Sequence, residues 1–459
     1  MDKPQSKSVE SMDRMQHGPT PSVGKSRSAP IRSVAFQTLG CKLNQYETDA
    51  LASRLQKAGY RIAGNHERAD CHIINTCTVT NRGDRKSRNA INRALRARPP
   101  LIVVTGCFVE SHRDELERDK RVVAVPNERK QAIDQLVQAH FAGEILRPDE
   151  LPRGVFDFGV PDPIFHTRNM IKIQDGCDNY CSFCIIPFVR GRARSRPADQ
   201  IRDELKRSLD SGYREVVLTG VNISRYDDQG TSFSQLVESL LEIDGDFRVR
   251  LSSLEPDRLD DRFFDLFAHP RMAPHLHLCL QSGSERILLQ MRRQYTAVQY
   301  RSIAERLLAR FPGFNLTTDC IVGFPGETDA EFGQTCAMVR DLGFSHVHTF
   351  PYSVRSGTRA ARMSEQVPNA VKTQRSATLR EISRANRHAF RSRALGTVDR
   401  VLIERFENRT ATGYTGHYIP VVVRTGASNG LRNRFLDVTL RRLVEEDDEM
   451  PVLAEPTTP

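Results

Sequence analysis

The residue pattern with the clearest chemistry lies in Lys172-Ile-Gln-Asp-Gly-Cys177-Asp-Asn-Tyr-Cys181-Ser-Phe-Cys184, where three cysteines are separated by three and then two residues. Thiols this close in one loop can converge on a single metal centre. Thiolates ligate 4Fe-4S clusters, and a set of only three leaves one iron open to bind something else. A zinc site would want a fourth ligand and cysteine pairs two to four residues apart, and no Cys or His pair of that spacing lies elsewhere in the chain. The Gly, Asp, Asn and Ser of the loop argue against three thiols merely buried in an apolar core.

A second set is dispersed. Cys41, Cys77 and Cys107 each lie just past the end of an expected strand, in Thr38-Leu-Gly-Cys41, Asn75-Thr-Cys77 and Thr105-Gly-Cys107. Parallel strand ends lie side by side, so ligands delivered from them meet at one sheet edge, where α/β folds place their sites. Gly40 and Gly106 would let the backbone bend closely there. Spacing alone leaves open that these are unrelated small residues in loops. Cys71, Cys279, Cys320 and Cys336 occupy strand or helix positions and are expected in the core.

The 459 residues leave room for several domains. From residue 33, β-branched runs at 33–38, 71–75 and 101–105 alternate with helical stretches near 43–57 and 81–97, which reads as a doubly wound α/β domain over 31–146. Pro and Gly accumulate over 147–163 as in a linker. Strands near 170–174, 214–219, 247–252, 275–280, 315–321 and 345–350 then predict a partial (β/α)6 barrel spanning 164–393 and ending in a long basic helix over 368–393. Short strands at 398–403, 411–418, 419–423 and 435–443 predict a small β-barrel over 394–445, followed by a tail at 446–459. Residues 1–30, rich in Ser, Pro, Lys and Arg but containing Asp2, Glu10 and Asp13, read as a disordered tail rather than a transit peptide.

In such a barrel the carboxyl ends of the strands build the site. The cysteine loop follows the first strand, and four further strand-end segments are candidates for cofactor contact. They are Thr219-Gly220-Val-Asn222, Ser252-Ser253-Leu-Glu255, Gln281-Ser-Gly-Ser284 and Gly323-Phe-Pro-Gly-Glu327. Each alone could be a turn or a helix cap, and their recurrence at successive strand ends is the argument.

A net charge of +10 favours a polyanionic partner. Arg190-Gly-Arg192-Ala-Arg194-Ser-Arg196 could steer phosphates to the mouth of the site or be a solvated loop. Arg405, Arg409, Arg424, Arg432 and Arg434, with Tyr414 and Tyr418, offer phosphate contacts and stacking surfaces suited to single-stranded RNA. No run approaches the roughly 18 apolar residues of a spanning helix and there is no apolar signal core, so a cytoplasmic protein with reduced thiols and no membrane partner is expected.

The three-cysteine loop, with Phe183 before Cys184, resembles the radical S-adenosylmethionine superfamily. The stretches Thr38-Leu-Gly-Cys-Lys-Leu-Asn-Gln-Tyr-Glu-Thr48, Asn75-Thr-Cys-Thr-Val-Thr-Asn-Arg-Gly-Asp-Arg-Lys-Ser-Arg88 and Val104-Thr-Gly-Cys107 resemble the amino-terminal domain of the methylthiotransferase family, and Gly413-Tyr-Thr-Gly-His-Tyr418 is similar to the RNA-binding TRAM domain. The resemblance runs from about residue 33 to 443. It implies two 4Fe-4S clusters, one on Cys41, Cys77 and Cys107 carrying the sulfur to be transferred, and a catalytic one on Cys177, Cys181 and Cys184 that cleaves S-adenosylmethionine to a 5′-deoxyadenosyl radical. Phe183, Thr219, Gly220, Asn222, Ser253, Glu255, Gln281 and Gly323 are the residues expected around that cofactor.

Lys42-Leu43-Asn44-Gln45 and Cys77-Thr-Val-Thr80 look like the branch that adds a methylthio group at C2 of N6-threonylcarbamoyladenosine beside the tRNA anticodon. The branches acting on isopentenyladenosine or on a ribosomal-protein aspartate usually carry other residues there, and they stand as the alternatives. A non-catalytic RNA-binding zinc protein is the rival from another class. The implied partners are a tRNA anticodon stem-loop, an electron donor such as flavodoxin or ferredoxin, and a sulfur donor that the sequence leaves unknown. Pro126 and Cys279 depart from the family, which usually has Gly and Pro there, and neither is a cluster ligand.

Overall fold

Short β-branched runs build the first layer. The computed structural model describes residues 32–64, 67–162, 166–426 and 430–457. The tail expected over 1–30, Pro163 of the expected linker and the last two residues of the chain lie outside the described residues. Strands β1 (Ser33–Thr38), β2 (Arg61–Ala63), β3 (Cys71–Thr76), β4 (Leu101–Gly106) and β5 (Val122–Val125) pair in parallel in the order β2-β1-β3-β4-β5. Side chains alternate across the sheet. Ile73 and Val103 therefore pack on one side with Leu51 and Leu136, while Ile74, Ile102 and Val104 pack on the other with Ala90 and Phe108. Helices α1 (Lys42–Lys57) and α4 (Ile133–Ala142) cover the first side; α2 (Asn81–Ala97) and α3 (Cys107–Leu116) cover the second. Thr80 caps α2 by accepting from Gly83 N at 3.0 Å, a contact that contributes about 1 kcal/mol.

The proline- and glycine-rich segment after α4 is a packed strap rather than a loose linker. Leu151, Val155 and Phe158 are buried, and Phe158 meets the Tyr46 ring edge-on with centroids 5.7 Å apart.

Six parallel strands follow in sequential order: β6 (Arg168–Lys172), β7 (Glu215–Thr219), β8 (Arg248–Leu251, resuming at Ser253–Leu254), β9 (His275–Leu278), β10 (Asn315–Val322) and β11 (His346–Pro351). Each is followed by a helix: α5 (Ala198–Asp210), α6 (Phe233–Leu241), α7 (Asp261–Leu266), α8 (Ala297–Arg310), α9 (Asp329–Leu342) and α10 (Asn369–Ala394). No pairing joins β6 to β11 among the described residues, so the barrel is incomplete as expected. Two helices flank its open edges. Tyr46 and Ala50 of α1 pack with Met170 of β6, and Ser383 of α10 accepts from Val347 N of β11 at 2.9 Å.

The carboxyl-terminal barrel has five strands, β12 (Val398–Glu407), β13 (Thr410–Tyr414), β14 (Pro420–Arg424), β15 (Phe435–Leu443) and β16 (Val452–Pro456), closed in the order β12-β13-β14-β16-β15. The expectation of a tail over 446–459 is corrected here. β16 buries Val452 and Ala454 and closes the barrel, but its five residues follow the acidic run 445–449 and end on a proline, which masks them as a solvated tail. This barrel docks under the amino ends of the central strands. Arg250 donates to the carbonyls of Gly416 and Thr415 at 3.1 and 3.2 Å, Arg248 donates to that of Arg400 at 2.9 Å, and Glu215 pairs with both guanidinium groups.

Candidate active site

The sheet edge brings the dispersed cysteines together. Cys41 caps α1, Cys77 directly follows β3 and Cys107 opens α3, and all three line one cavity of about 700 Å³ between the amino-terminal sheet and the central barrel. Glycine is a steric requirement beside them. A Cβ on Gly40 (φ +97°) would lie 2.7 Å from Cys77 Cβ, and one on Gly106 (φ +98°) would lie 2.3 Å from the Thr76 carbonyl oxygen. Asn44 ties the first two cysteine loops by donating to the carbonyls of Leu39 and Thr76 at 2.8 and 2.9 Å.

Burial pushes the Cys77 thiol up to about 11 and also raises Cys107, against the pull of Arg190 and Lys130. Both are therefore thiols at neutral pH until a metal displaces the protons. A single tetrahedral zinc would hold its sulfurs about 3.8 Å apart. Among the described residues no three cysteine sulfurs lie within 4.8 Å of one another, so the set as it stands is wider than one zinc ion would hold.

Behind the cysteines lies a buried charge network that joins the two domains. Glu47 of α1 accepts from Lys130 at 2.6 Å, Lys172 at 2.8 Å and Arg190 at 3.3 Å, and Asp175 accepts from Lys172 at 2.6 Å and Arg190 at 3.1 Å. Burial alone would raise both carboxyls, but the three cations outweigh it and hold them below the usual range, Glu47 well below. Three cations against two carboxylates leave one net positive charge, which favours anionic sulfur nearby. The basic loop is thereby divided. Arg190 and Arg196 are buried in ion pairs, Arg196 with Glu204, while Arg192 and Arg194 stay exposed.

The contiguous cysteines sit in a loop held by its neighbours. Ser182 donates from N to Met291 O at 2.9 Å and from Oγ to Gln290 O at 2.8 Å, and its carbonyl accepts from Ala360 N at 2.8 Å. Phe183 packs beside Ile287, Met291, Ile321 and Tyr352. Burial pushes Cys184 up to about 12. Sequence reasoning missed Arg293, which donates to Cys181 Sγ at 3.2 Å, to Tyr295 Oη at 3.0 Å and to Glu255. Nothing in the spacing of Arg292-Arg293 marks it.

A second cavity of about 200 Å³ is lined by Phe183, Cys184 and Gln281, and Val79, Asp319 and Phe350 line both cavities, so the two adjoin. Of the candidate cofactor contacts, Thr219, Gly220 and Ser253 face the larger space, Phe183 and Gln281 the smaller, and Glu255 is paired with Arg293. Asn222 and Gly323 line neither. Asn222 is buried in its own turn, its N–H donating to Gln174 Oε1 at 2.8 Å. Gly323 (φ +70°) is needed because a Cβ would lie 2.4 Å from Lys372 Cγ.

The larger cavity holds further polar groups. His277 Nε2 lies 3.2 Å from Asp319 Oδ1, its Nδ1 lies 3.0 Å from Thr317 Oγ1, and His348 Nδ1 lies 3.1 Å from His346 Nε2. A signal for them existed: His275 and His277, Thr317 and Asp319, and His346 and His348 alternate on successive strands, so all face one side. Tyr414 and Tyr418, expected to stack on RNA, instead stack on each other at 4.9 Å, with Arg168 over both rings, and form part of the same cavity wall.

Comparison with known proteins agrees with this geometry. The model described as uncharacterized protein family UPF0004 matches residues 33–126, and that of the radical SAM superfamily matches 171–339. The threonylcarbamoyladenosine tRNA methylthiotransferase MtaB of Bacillus subtilis is 36% identical over 420 residues, covering 86% of this chain and 91% of the relative. The same-named protein of Thermotoga maritima is 36% identical over 395 residues, covering 85% and 91%. The tRNA-2-methylthio-N(6)-dimethylallyladenosine synthase of Chromobacterium violaceum is 34% identical over 406 residues, covering 83% and 89%. Among solved structures, the radical S-adenosylmethionine methyltransferase TsrM of Kitasatospora setae shares the fold with a TM-score of 0.51 at 15% identity, over 70% of this chain and 73% of that one. With Cys41, Cys77 and Cys107 lining one cavity, Cys184 of the second set lining the adjoining one, and relatives alike along most of its length, the chain belongs to the radical SAM methylthiotransferase family.

Proposed function

We propose that the protein is a tRNA methylthiotransferase that adds a methylthio group at C2 of N6-threonylcarbamoyladenosine next to the anticodon. The observation that carries this is the adjoining pair of cavities, one walled by Cys41, Cys77 and Cys107 and the other by Cys184. The larger has room for a modified nucleoside. The relatives named as threonylcarbamoyladenosine methylthiotransferases support the choice of substrate.

In this reading Cys41, Cys77 and Cys107 would hold one 4Fe-4S cluster, and Cys177, Cys181 and Cys184 the other. When bound, the clusters and S-adenosylmethionine supply the electron, the hydrogen-abstracting radical and the methylated sulfur by which C2–H becomes C2–SCH3. The chain's own residues prepare the site. Lys130 and Arg190 favour anionic sulfur at Cys107, and Arg293 holds Cys181 in place by donating to its Sγ. His277 is held by Thr317 and Asp319, and His348, its Nδ1 facing His346, has Nε2 available to hydrogen-bond a nucleobase. Tyr414 and Tyr418 help wall the cavity. The exposed Arg405, Arg409, Arg424, Arg432 and Arg434 offer contacts to tRNA phosphates. The setting is the cytoplasm, with an electron donor of the flavodoxin or ferredoxin type. Among the described residues no helix is long and apolar enough to cross a membrane.

The test is anaerobic reconstitution followed by incubation with S-adenosylmethionine, a reductant and tRNA bearing threonylcarbamoyladenosine. The expected outcome is about eight irons per chain and a methylthio group on that nucleoside by mass spectrometry. No methylthio group on that nucleoside, or its appearance instead on isopentenyladenosine in tRNA assayed in parallel, would overturn the reading.

A further inference from the structure

Lys42 is the first residue of α1, adjacent to Cys41, and its side chain lines the large cavity with no hydrogen bond or ion pair to any described residue. The other cations of the wall are engaged. Arg190 is held by Glu47 and Asp175, Arg387 by the Asp448 carbonyl and His346, and Arg391 by the carbonyls of Glu449 and Met450. Lys42 also borders a neighbouring space of about 280 Å³ with Arg168 and Arg250, whose charges repel its own. Among the described residues only Asp319 and Glu449 bring carboxylates to the large cavity, and Asp319 already faces His277. Lys42 is exposed to this open space, so its ammonium, with no partner of its own beside Arg168 and Arg250, is free to pair with an entering anion.

The position of that anion is bounded. Lys42, His348 and Arg387 line the same cavity, Arg387 contacts His346, whose Nε2 lies 3.1 Å from His348 Nδ1, and Arg387 keeps a buried Nε donor with no partner. An anionic group entering beside His348 would meet both. N6-threonylcarbamoyladenosine carries such a group, the carboxylate of its threonine, while an isopentenyl substituent is apolar and uncharged.

We infer that Lys42 pairs with the threonine carboxylate and thereby selects an anionic N6 substituent. The inference rests on the substrate reading above and deepens it. It also explains how a residue outside the central barrel sets specificity, since α1 flanks the open edge of that barrel beside β6 and delivers Lys42 into the cavity next to Cys41.

The experiment compares reconstituted holoenzyme on two anticodon stem-loops, one with threonylcarbamoyladenosine and one with its threonine methyl ester. The two share every phosphate, so contacts to the RNA backbone cancel. The wild type should prefer the acid by about 30-fold or more in kcat/KM, expressed mainly in KM. In Lys42→Met the preference should fall to near unity, and Lys42→Arg should restore most of it, with iron and sulfide content unchanged in both. A wild-type preference under about threefold overturns the inference without any variant, as does a Lys42→Met enzyme that keeps the preference. So does a Lys42→Met protein that loses iron while its remaining activity keeps the preference, because the lysine would then serve the cysteines. A wild type that modifies neither stem-loop defeats the substrate reading and this inference with it; equal action on acid and ester defeats the inference alone.

Discussion

The two cysteine sets reach comparable ends by different supports. Cys177, Cys181 and Cys184 are delivered by one loop that Ser182 pins to Met291, Gln290 and Ala360. Cys41, Cys77 and Cys107 come from three strand ends, and their convergence depends on the register of β1, β3 and β4, on two glycines and on the Glu47 network behind them. A local site fails through its own residues. A distributed site also fails through residues that never touch it.

The largest effects separate the sets chemically. Replacing Cys177, Cys181 and Cys184 together by Ala should abolish 5′-deoxyadenosine formation, and replacing Cys41, Cys77 and Cys107 should spare that reaction while abolishing methylthio transfer. Each triple variant should keep about four irons. Iron assay with chromatography of 5′-deoxyadenosine checks both, and a variant of either set that still holds eight irons would end the division drawn here.

Glu47→Gln tests the support of the distributed set. Its removal leaves Lys130, Lys172 and Arg190 with one buried carboxylate, a loss of about 3–5 kcal/mol. The measurement is the urea midpoint, together with iron content, which should fall toward the share of the contiguous set. The acid dependence has a definite sign. Glu47 has its carboxyl depressed on folding, so its stabilisation is complete above the unfolded value of about 4.3 and is lost as pH falls through the lower folded value. The variant should therefore lose less stability than the wild type on acidification below about pH 4.

Glycine substitutions sharpen the contrast on a smaller scale. Gly106→Ala combines a positive φ with a Cβ 2.3 Å from the Thr76 carbonyl oxygen and should cost about 2–4 kcal/mol. Gly212→Ala, also at positive φ but with open space around it, should cost about 1 kcal/mol. Thermal unfolding ranks them, and equal losses would mean that close packing at the cysteine loops adds nothing.

What was legible in the sequence follows the same division. Cys177, Cys181 and Cys184 declare themselves because the ligands are neighbours in the chain. The strand ends carrying Cys77 and Cys107 were readable because β3 and β4 are largely buried runs rich in β-branched residues. Edge strands β2 and β5 and the barrel-closing β16 were not, since three to five residues carry too little pattern. Arg293, His277 and Asp319 become a site only when separate strands and loops meet. Arg190, Arg196, Tyr414 and Tyr418 have the composition of an RNA surface, and only tertiary packing reveals that they are enclosed instead.

That last distinction leaves the smallest effect to measure. Arg409 and Arg424 are exposed at one end of the carboxyl-terminal barrel, where Thr410 pairs with Arg424 in the sheet and Thr425 N donates to the Arg409 carbonyl at 3.1 Å. If this end grips the stem-loop, replacing both by Ala should weaken binding about tenfold or less. The slope of log affinity against log salt should fall by about 1.4, roughly 0.7 for each single-strand phosphate no longer neutralised. Fluorescence anisotropy across a salt series measures both quantities, and iron content should not move. An unchanged slope would leave the barrel with one task, walling the cavity through Tyr414 and Tyr418, and would assign RNA affinity to the other domains.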